Sequence, residues 1–253
     1  MRIEGSTALV TGSNRGIGRA IAEALVAEGA LVLAGVRSLE GAQQVGDGPG
    51  LRPVRVDLST PALVEESFRE LGPDAERIDI LVNNAGLFIG GLLEAQEPTD
   101  ALELLQVNLA APIHLTRLLL PGMTRRDAGK IVNNTSIVGH VPFPGATVYA
   151  ASKSGFVGFT ESLRRELEET GVSVLELVTP GVDTDMMDQV QAELDEHADT
   201  DGWDHVEPED WAKKVVKAIE DDEERLNPGG REGVAMKLPR PLMDLAAKSG
   251  FSR

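Results

Sequence analysis

Ser6-Thr-Ala-Leu-Val-Thr-Gly12-Ser13-Asn14-Arg15-Gly16-Ile17-Gly18 is the stretch on which the fold turns. Residues 6–11 form a short β-type run, and residues 17–28 carry the apolar spacing of a helix that stops at Gly29. The local order is therefore strand, tight glycine turn, helix. Gly12 permits the turn. Gly16 and Gly18 let a phosphate-bearing ligand and the neighbouring strand approach the backbone, and the helix N-terminus offers free N–H groups to a pyrophosphate. A lone glycine triplet can be a plain structural turn, but a strand before it and a helix after it favour a dinucleotide site. Gly12, Ser13, Asn14, Arg15, Gly16, Ile17 and Gly18 are thus the first candidate cofactor contacts.

Working outward, residues 31–36 read as the second strand. At its end, where an NAD-specific fold places an acidic residue for the ribose hydroxyl, the chain has Val36-Arg37-Ser38. An arginine there fits a 2′-phosphate, and Arg15 in the glycine turn is within reach of the same group. The alternative for Arg37 is an ordinary solvated charge. The reading prefers NADPH over NAD and adds Arg37 and Ser38 to the cofactor set.

Further along, Ser136 follows the apolar run 130–135, and Tyr149-Ala-Ala-Ser-Lys153 opens a helical segment that ends at Gly171. Four residues apart on a helix, Tyr149 and Lys153 share a face. A free phenol titrates near 10, and a cation alongside lowers that value, so Lys153 is expected to make Tyr149 the better acid. Ser136, at a strand end, is placed to polarise the same substrate oxygen. Tyr149 is the only tyrosine in the chain.

Ser136 with Tyr149-x-x-x-Lys153, together with Gly12-x-x-x-Gly16-x-Gly18, resembles the short-chain dehydrogenase/reductase family, in its short single-domain branch. The resemblance covers about residues 5–240 and implies further matches. Asp57-Leu58, closing a third strand at 51–58, is similar to the adenine-contacting pair. Asn83-Asn84-Ala85-Gly86, after a fourth strand at 78–82, is similar to the segment whose small residues (Asn84, Ala85, Gly86) pass beneath the cofactor. Asn108 matches the fourth catalytic residue, beside Ser136, Tyr149 and Lys153. Pro180-Gly181-Val182-Asp183-Thr184 resembles the segment whose Pro180, Gly181, Val182 and Thr184 hold the nicotinamide carboxamide, with Tyr149 and Lys153 also touching the cofactor. The implied fold is α/β, a doubly wound parallel sheet (Rossmann fold) of about seven strands with helices on both faces. The implied reaction is hydride transfer between NADP(H) and a small-molecule carbonyl or secondary alcohol, with a small aldehyde or ketone as the first expectation. A 3-ketoacyl thioester reductase and a non-catalytic dinucleotide-binding regulator are the alternatives. Homodimers or homotetramers, through the helices carrying Asn108 and Tyr149, are implied as well.

Composition narrows the partners. The chain has 253 residues, no cysteine and a net charge of −17 from 24 basic and 41 acidic side chains. That length suits one domain, residues 1–253. The acidic balance argues against nucleic acid and anionic membranes, and the missing cysteines give no pointer to an oxidising compartment. With no leader pattern and no apolar run long enough to span a bilayer, a cytoplasmic location is expected. Residues 1–55 hold six Arg against five acids, so the polyanionic cofactor finds its least repulsive surface there.

Three segments carry finer expectations. Residues 98–120 read as one long helix in which Pro112, lacking an N–H, leaves the Asn108 carbonyl free and bends the axis. Residues 186–206, within a lid at about 183–207, are polar, acidic and poor in apolar periodicity, with a single Trp203. A last strand is expected at 233–238, followed by a tail at 239–253 that packs near the site or between subunits. The four histidines lack metal-ligand spacing, so no metal is expected. Of these, His140 lies on a loop expected to line the pocket, where it would either bond a polar substrate or simply pack. Leu87, Phe88, Val141, Pro142 and Phe143 suggest apolar walls.

Overall fold

The computed structural model describes residues 1–195, 197, 205–230, 233 and 236. Among these residues seven strands form one sheet: β1 (Thr7–Thr11), β2 (Leu31–Val36), β3 (Leu51–Arg55), β4 (Ile80–Asn83), β5 (Gly129–Asn134), β6 (Val172–Leu177) and β7 (Arg225–Leu226). Every pairing is parallel and the order is β3-β2-β1-β4-β5-β6-β7. The chain winds outward from β1 in one direction and from β4 in the other, so a crevice opens at the C-terminal ends of these two strands.

Between the strands run α1 (Gly16–Ala27), α2 (Leu39–Val45), α3 (Pro61–Leu71), α4 (Pro98–Leu105), α5 (Ala111–Arg126), α6 (Ile137–His140), α7 (Thr147–Glu166), α8 (Asp185–Leu194) and α9 (Pro208–Glu220). β1, β2 and β4 carry apolar runs because helices cover both faces, whereas β5 and β6 also bury Lys130, Asn133, Asn134 and Glu176. Ala8, Leu9 and Val10 are fully buried, and alternate residues serve opposite cores. Val10, Ile80 and Val132 pack with Ile21 and Leu25 of α1 and with Trp211, Val215 and Ile219 of α9. Leu9, Leu81 and Ile131 pack with Leu115 and Leu119 of α5 and Leu163 of α7. The edge strand β3 carries Arg52, Pro53 and Arg55, residues that blunt an edge. Among the described residues no helix is long and apolar enough to cross a membrane.

Four expectations need correction. The single helix at 98–120 is two helices, α4 and α5, joined by a π-type turn at Gln106–Ala110, in which the Ala111 N–H reaches back to Gln106 O. Pro112 cannot donate to Asn108, and the ladder widens just ahead of it. Among the described residues the seventh strand is Arg225–Leu226, ahead of the expected 233–238. After α9 the chain turns tightly at Asp222, with φ of 54°, which sets Arg225 beside Glu176 of β6. Of 233–238 only Gly233 and Met236 are described, and neither is in a strand. The lid is not irregular throughout, because α8 occupies 185–194 and buries Val190 and Leu194. Trp203 and residues 237–253 lie outside the described residues. Finally, the loop expected to carry His140 begins with the short helix α6, and the active-site helix α7 ends at Glu166 rather than running to Gly171.

Candidate active site

The crevice opens into a cavity of about 810 Å³. At one end lies the glycine turn. Gly12 has φ of +69°, and a Cβ there would sit 3.0 Å from Ala85 Cα. Gly18 is tighter: a Cβ would come within 2.2 Å of Gly12 O and 2.4 Å of Asn84 Nδ2. The glycines therefore keep α1 against the ends of β1 and β4, and its first-turn N–H groups at Gly16, Ile17 and Gly18 face the cavity without intrahelical partners. Backbone this closely packed, beside an N-terminal turn of free donors, fits a dinucleotide pyrophosphate.

A polar seam stitches the strand ends below the cavity. Thr11 Oγ1 accepts from the N–H groups of Asn84 (2.9 Å) and Ala85 (3.0 Å), and Asn84 Nδ2 donates to Thr11 O at 3.0 Å. Asn134 Nδ2 donates to Asn84 Oδ1 at 2.9 Å, and Thr179 donates to Asn134 Oδ1. Four strands are thus registered at the point where the cavity floor needs them fixed.

Ser136, Tyr149 and Lys153 meet at the other end of this floor. Ser136 caps α6, its Oγ accepting from Val138 N at 3.2 Å. The same hydroxyl pulls the pKa of the neighbouring Tyr149 phenol downward. Lys153 Nζ lies 5.7 Å from the centre of the Tyr149 ring and donates to Asn134 O at 2.9 Å. Phe88 closes over the phenol in an edge contact, with ring centres 5.1 Å apart. In this dry setting burial pushes the Tyr149 phenol up to about 12, against the downward pull of the Ser136 bond, and burial pushes Lys153 down to about 8. Burial, and not the expected lowering by Lys153, dominates the phenol here, and the ammonium is turned to Asn134 O at 2.9 Å.

Asn108 is buried in the π-type turn, and its side chain clamps the strand-end loop. Its Oδ1 accepts from Leu87 N at 2.7 Å, and its Nδ2 donates to Leu87 O at 2.8 Å. It therefore braces the cavity wall from behind and does not line it. Ser13 and Asp57 are also turned away. Ser13 Oγ donates to Val10 O at 2.6 Å, and Asp57 Oδ1 accepts from the backbone and hydroxyl of Ser59 at 3.0 and 2.6 Å. The other expected cofactor residues line the cavity: Asn14, Arg15, Gly16, Ile17, Gly18, Arg37, Ser38, Leu58, Asn84, Ala85, Gly86, Pro180, Gly181, Val182 and Thr184, with Gly12. Arg15 pairs with Asp185 at 2.9 Å, whereas Arg37 makes no ion pair among the described residues.

Two features escaped sequence reading. The substrate-side wall is completed by Met187 and Val190 of α8, packed with Phe88, Ala146 and Phe143. Gln189 Nε2 donates to Phe88 O at 3.1 Å, and the Glu193 carboxylate accepts from Gly90 N, so α8 is latched to the loop after β4. The spacing of Met187, Val190 and Leu194 was the available signal. The second is the partner of His140, which does not line the cavity and takes the packing alternative. Its Nε2 is 2.7 Å from Glu176 Oε1, which removes the substrate-binding role. Among the described residues no group of three or more His, Asp or Glu side chains is gathered to hold a metal.

The profile of the short chain dehydrogenase family matches residues 6–195. The chain is 37% identical over 189 residues to the 3-oxoacyl-[acyl-carrier-protein] reductase FabG of Escherichia coli strain K12, covering 74% of this chain and 77% of that one. A short chain dehydrogenase from Burkholderia cenocepacia J2315 in complex with NADP superposes with a TM-score of 0.82 at 29% identity, over 98% of both chains. The 3-ketoacyl-(acyl-carrier-protein) reductase from Brucella melitensis, complexed with NADH, gives 0.78 at 26% identity, over 91% of this chain and 99% of that one. With Ser136, Tyr149 and Lys153 set at the end of a dinucleotide cradle, this chain belongs to the short-chain dehydrogenase/reductase family of oxidoreductases.

Proposed function

We propose that this oxidoreductase reduces the 3-oxo group of an acyl thioester to a 3-hydroxyl, with NADPH as reductant. The observation that carries the reading is the apolar wall of Phe88, Phe143, Met187 and Val190 beside the Ser136–Tyr149–Lys153 end of the cavity. It offers an acyl chain a dry place next to the reacting oxygen. The likeness to the E. coli reductase supports the thioester.

When bound, the nicotinamide dinucleotide supplies the hydride. The N–H groups of residues 16–18 would hold its pyrophosphate, Lys153 its ribose, Pro180, Gly181, Val182 and Thr184 its carboxamide end, and Arg37 a 2′-phosphate. Ser136 donates a hydrogen bond to the substrate oxygen and fixes its position. Tyr149 gives that oxygen its phenolic proton as negative charge develops. An alkoxide is a stronger base than a phenolate even where burial holds the phenol at about 12, so the proton moves downhill. The Lys153 ammonium offsets the phenolate left behind.

Since Lys153 must be charged for this role, reduction should weaken as it deprotonates. The expected profile of kcat/KM for carbonyl reduction is flat below and falls above an apparent pKa of about 8, with a limiting slope of about tenfold per pH unit. A flat profile through that range would remove Lys153's charge from the mechanism.

Reduction of small aldehydes or ketones is the second reading, favoured by the net charge of −17, which repels an acidic carrier protein. The deciding experiment follows NADPH oxidation, with NADH in parallel, against 3-oxoacyl thioesters of coenzyme A and of carrier protein, and against small aldehydes, ketones and diketones. Preference for the thioesters is the expected result, and preference for the small carbonyls selects the second reading. Tight NADPH binding without turnover of any carbonyl would select a non-catalytic regulator. A cytoplasmic homodimer or homotetramer is the assembly this reading implies.

A further inference from the structure

Glu176 is a carboxylate fully buried in β6, the strand next to the β7 edge of the sheet. Its Oε1 lies 2.7 Å from His140 Nε2 and 3.1 Å from Thr135 Oγ1, whose one proton it shares with Leu177 O at 2.9 Å, and its Oε2 accepts from Arg225 Nε at 2.7 Å. On the far side of that guanidinium stands Glu161 of α7, 3.0 Å from Arg225. Burial by itself pushes the Glu176 carboxyl up, but the bonds and charges of His140 and Arg225 outweigh it and hold the group below its usual range. An ionised carboxylate is thus kept in a place where an isolated one would be costly.

The positions of its partners give it a use. Thr135 directly precedes Ser136, and His140 ends the helix that Ser136 caps. One carboxylate therefore grips both ends of the segment 135–140 that carries the Ser136 hydroxyl. A four-residue helix cannot hold its own geometry. It is held as well by Ile137 N donating to Thr179 O at 3.1 Å, by Gly139 O accepting from Ser154 Oγ at 2.9 Å, and by close packing on α7, where a Cβ at Gly139 would sit 3.0 Å from Lys153 O. We infer that Glu176, acting through His140 and Thr135, is a positioning residue that holds the Ser136 hydroxyl in hydrogen-bond reach of Tyr149 and the substrate oxygen.

The inference rests on Ser136, Tyr149 and Lys153 being the reductase triad, and not on the identity of the carbonyl. Glu176→Gln would set an amide N–H against Arg225 and risks misfolding. His140→Ala and Thr135→Val, which leave the carboxylate its arginine, therefore carry the test. Each is expected to lower kcat about tenfold for any carbonyl the wild-type enzyme turns over, because small misplacement of an orienting donor is felt in the rate. NADPH affinity should be unchanged. In a Ser136→Ala background His140→Ala should cost nothing more, since the group it positions is gone. Equal losses in both backgrounds, or no loss in either, would overturn the proposal.

A second readout needs no substrate. Tyr149 is the only tyrosine, so protein labelled with [13Cζ]tyrosine gives a single phenol resonance that senses the Ser136 bond. His140→Ala should move it in the same direction as Ser136→Ala does. Coincidence of the His140→Ala resonance with wild type refutes the inference even where every carbonyl in the panel fails, and movement supports it in the same circumstances. Failure of the substrate reading and failure of this one are thus distinct results.

Discussion

Tyr149→Phe should lower kcat for carbonyl reduction by about 10²- to 10⁴-fold, the range ascribed to a positioned general acid. Tyr149 is the only phenol in the chain, and it lies where Ser136 and Lys153 converge. The substitution keeps the ring that Phe88 packs against at 5.1 Å, so the fold and the dinucleotide cradle should survive. Steady-state kinetics, with NADPH binding followed separately by fluorescence, checks both halves. Retained affinity with lost turnover is the expected outcome. Near-wild-type turnover in the variant would place the proton donor elsewhere.

Arg37→Ala should weaken NADPH about ten- to hundredfold while leaving NADH unchanged, since a charge-assisted bond contributes about 1.5–3 kcal/mol. Arg37 follows the end of β2 on the cavity wall. It is exposed, and among the described residues it makes no ion pair that would compete for a phosphate. Arg15 differs because its guanidinium faces Asp185 at 2.9 Å. Giving up that exposed pair offsets part of what Arg15 would gain from a phosphate. Arg15→Ala is therefore expected to have the smaller effect. Parallel kcat/KM values for NADPH and NADH settle the ranking. An equal loss for both cofactors in Arg37→Ala would mean that the residue holds something other than the 2′-phosphate.

Much of the cradle was written locally. The order strand, glycine turn, helix follows from residues 6–28 alone, because apolar periodicity and the absence of a Cβ are properties of each short segment. Tyr149 and Lys153 share a face because any helix brings residues four apart together. The family resemblance then added Asn84, Gly86, Pro180 and Thr184, which strand order does place around one cavity. What local reading missed depends on partners distant in the chain. Glu176 and His140 are 36 residues apart and meet only because β6 lies beside β5, so His140 turns inward to a buried carboxylate instead of toward substrate. The seventh strand is Arg225–Leu226 because Arg225 has Glu176 and Glu161 to face there. The helix α8 forms on an acidic segment because Val190 and Leu194 find Phe88 and Ala146. The sequence by itself determined the dinucleotide turn and the face shared by phenol and ammonium. Only the tertiary structure decided how dry that face is, and desolvation, a property of everything packed around the site, sets the Tyr149 and Lys153 proton affinities.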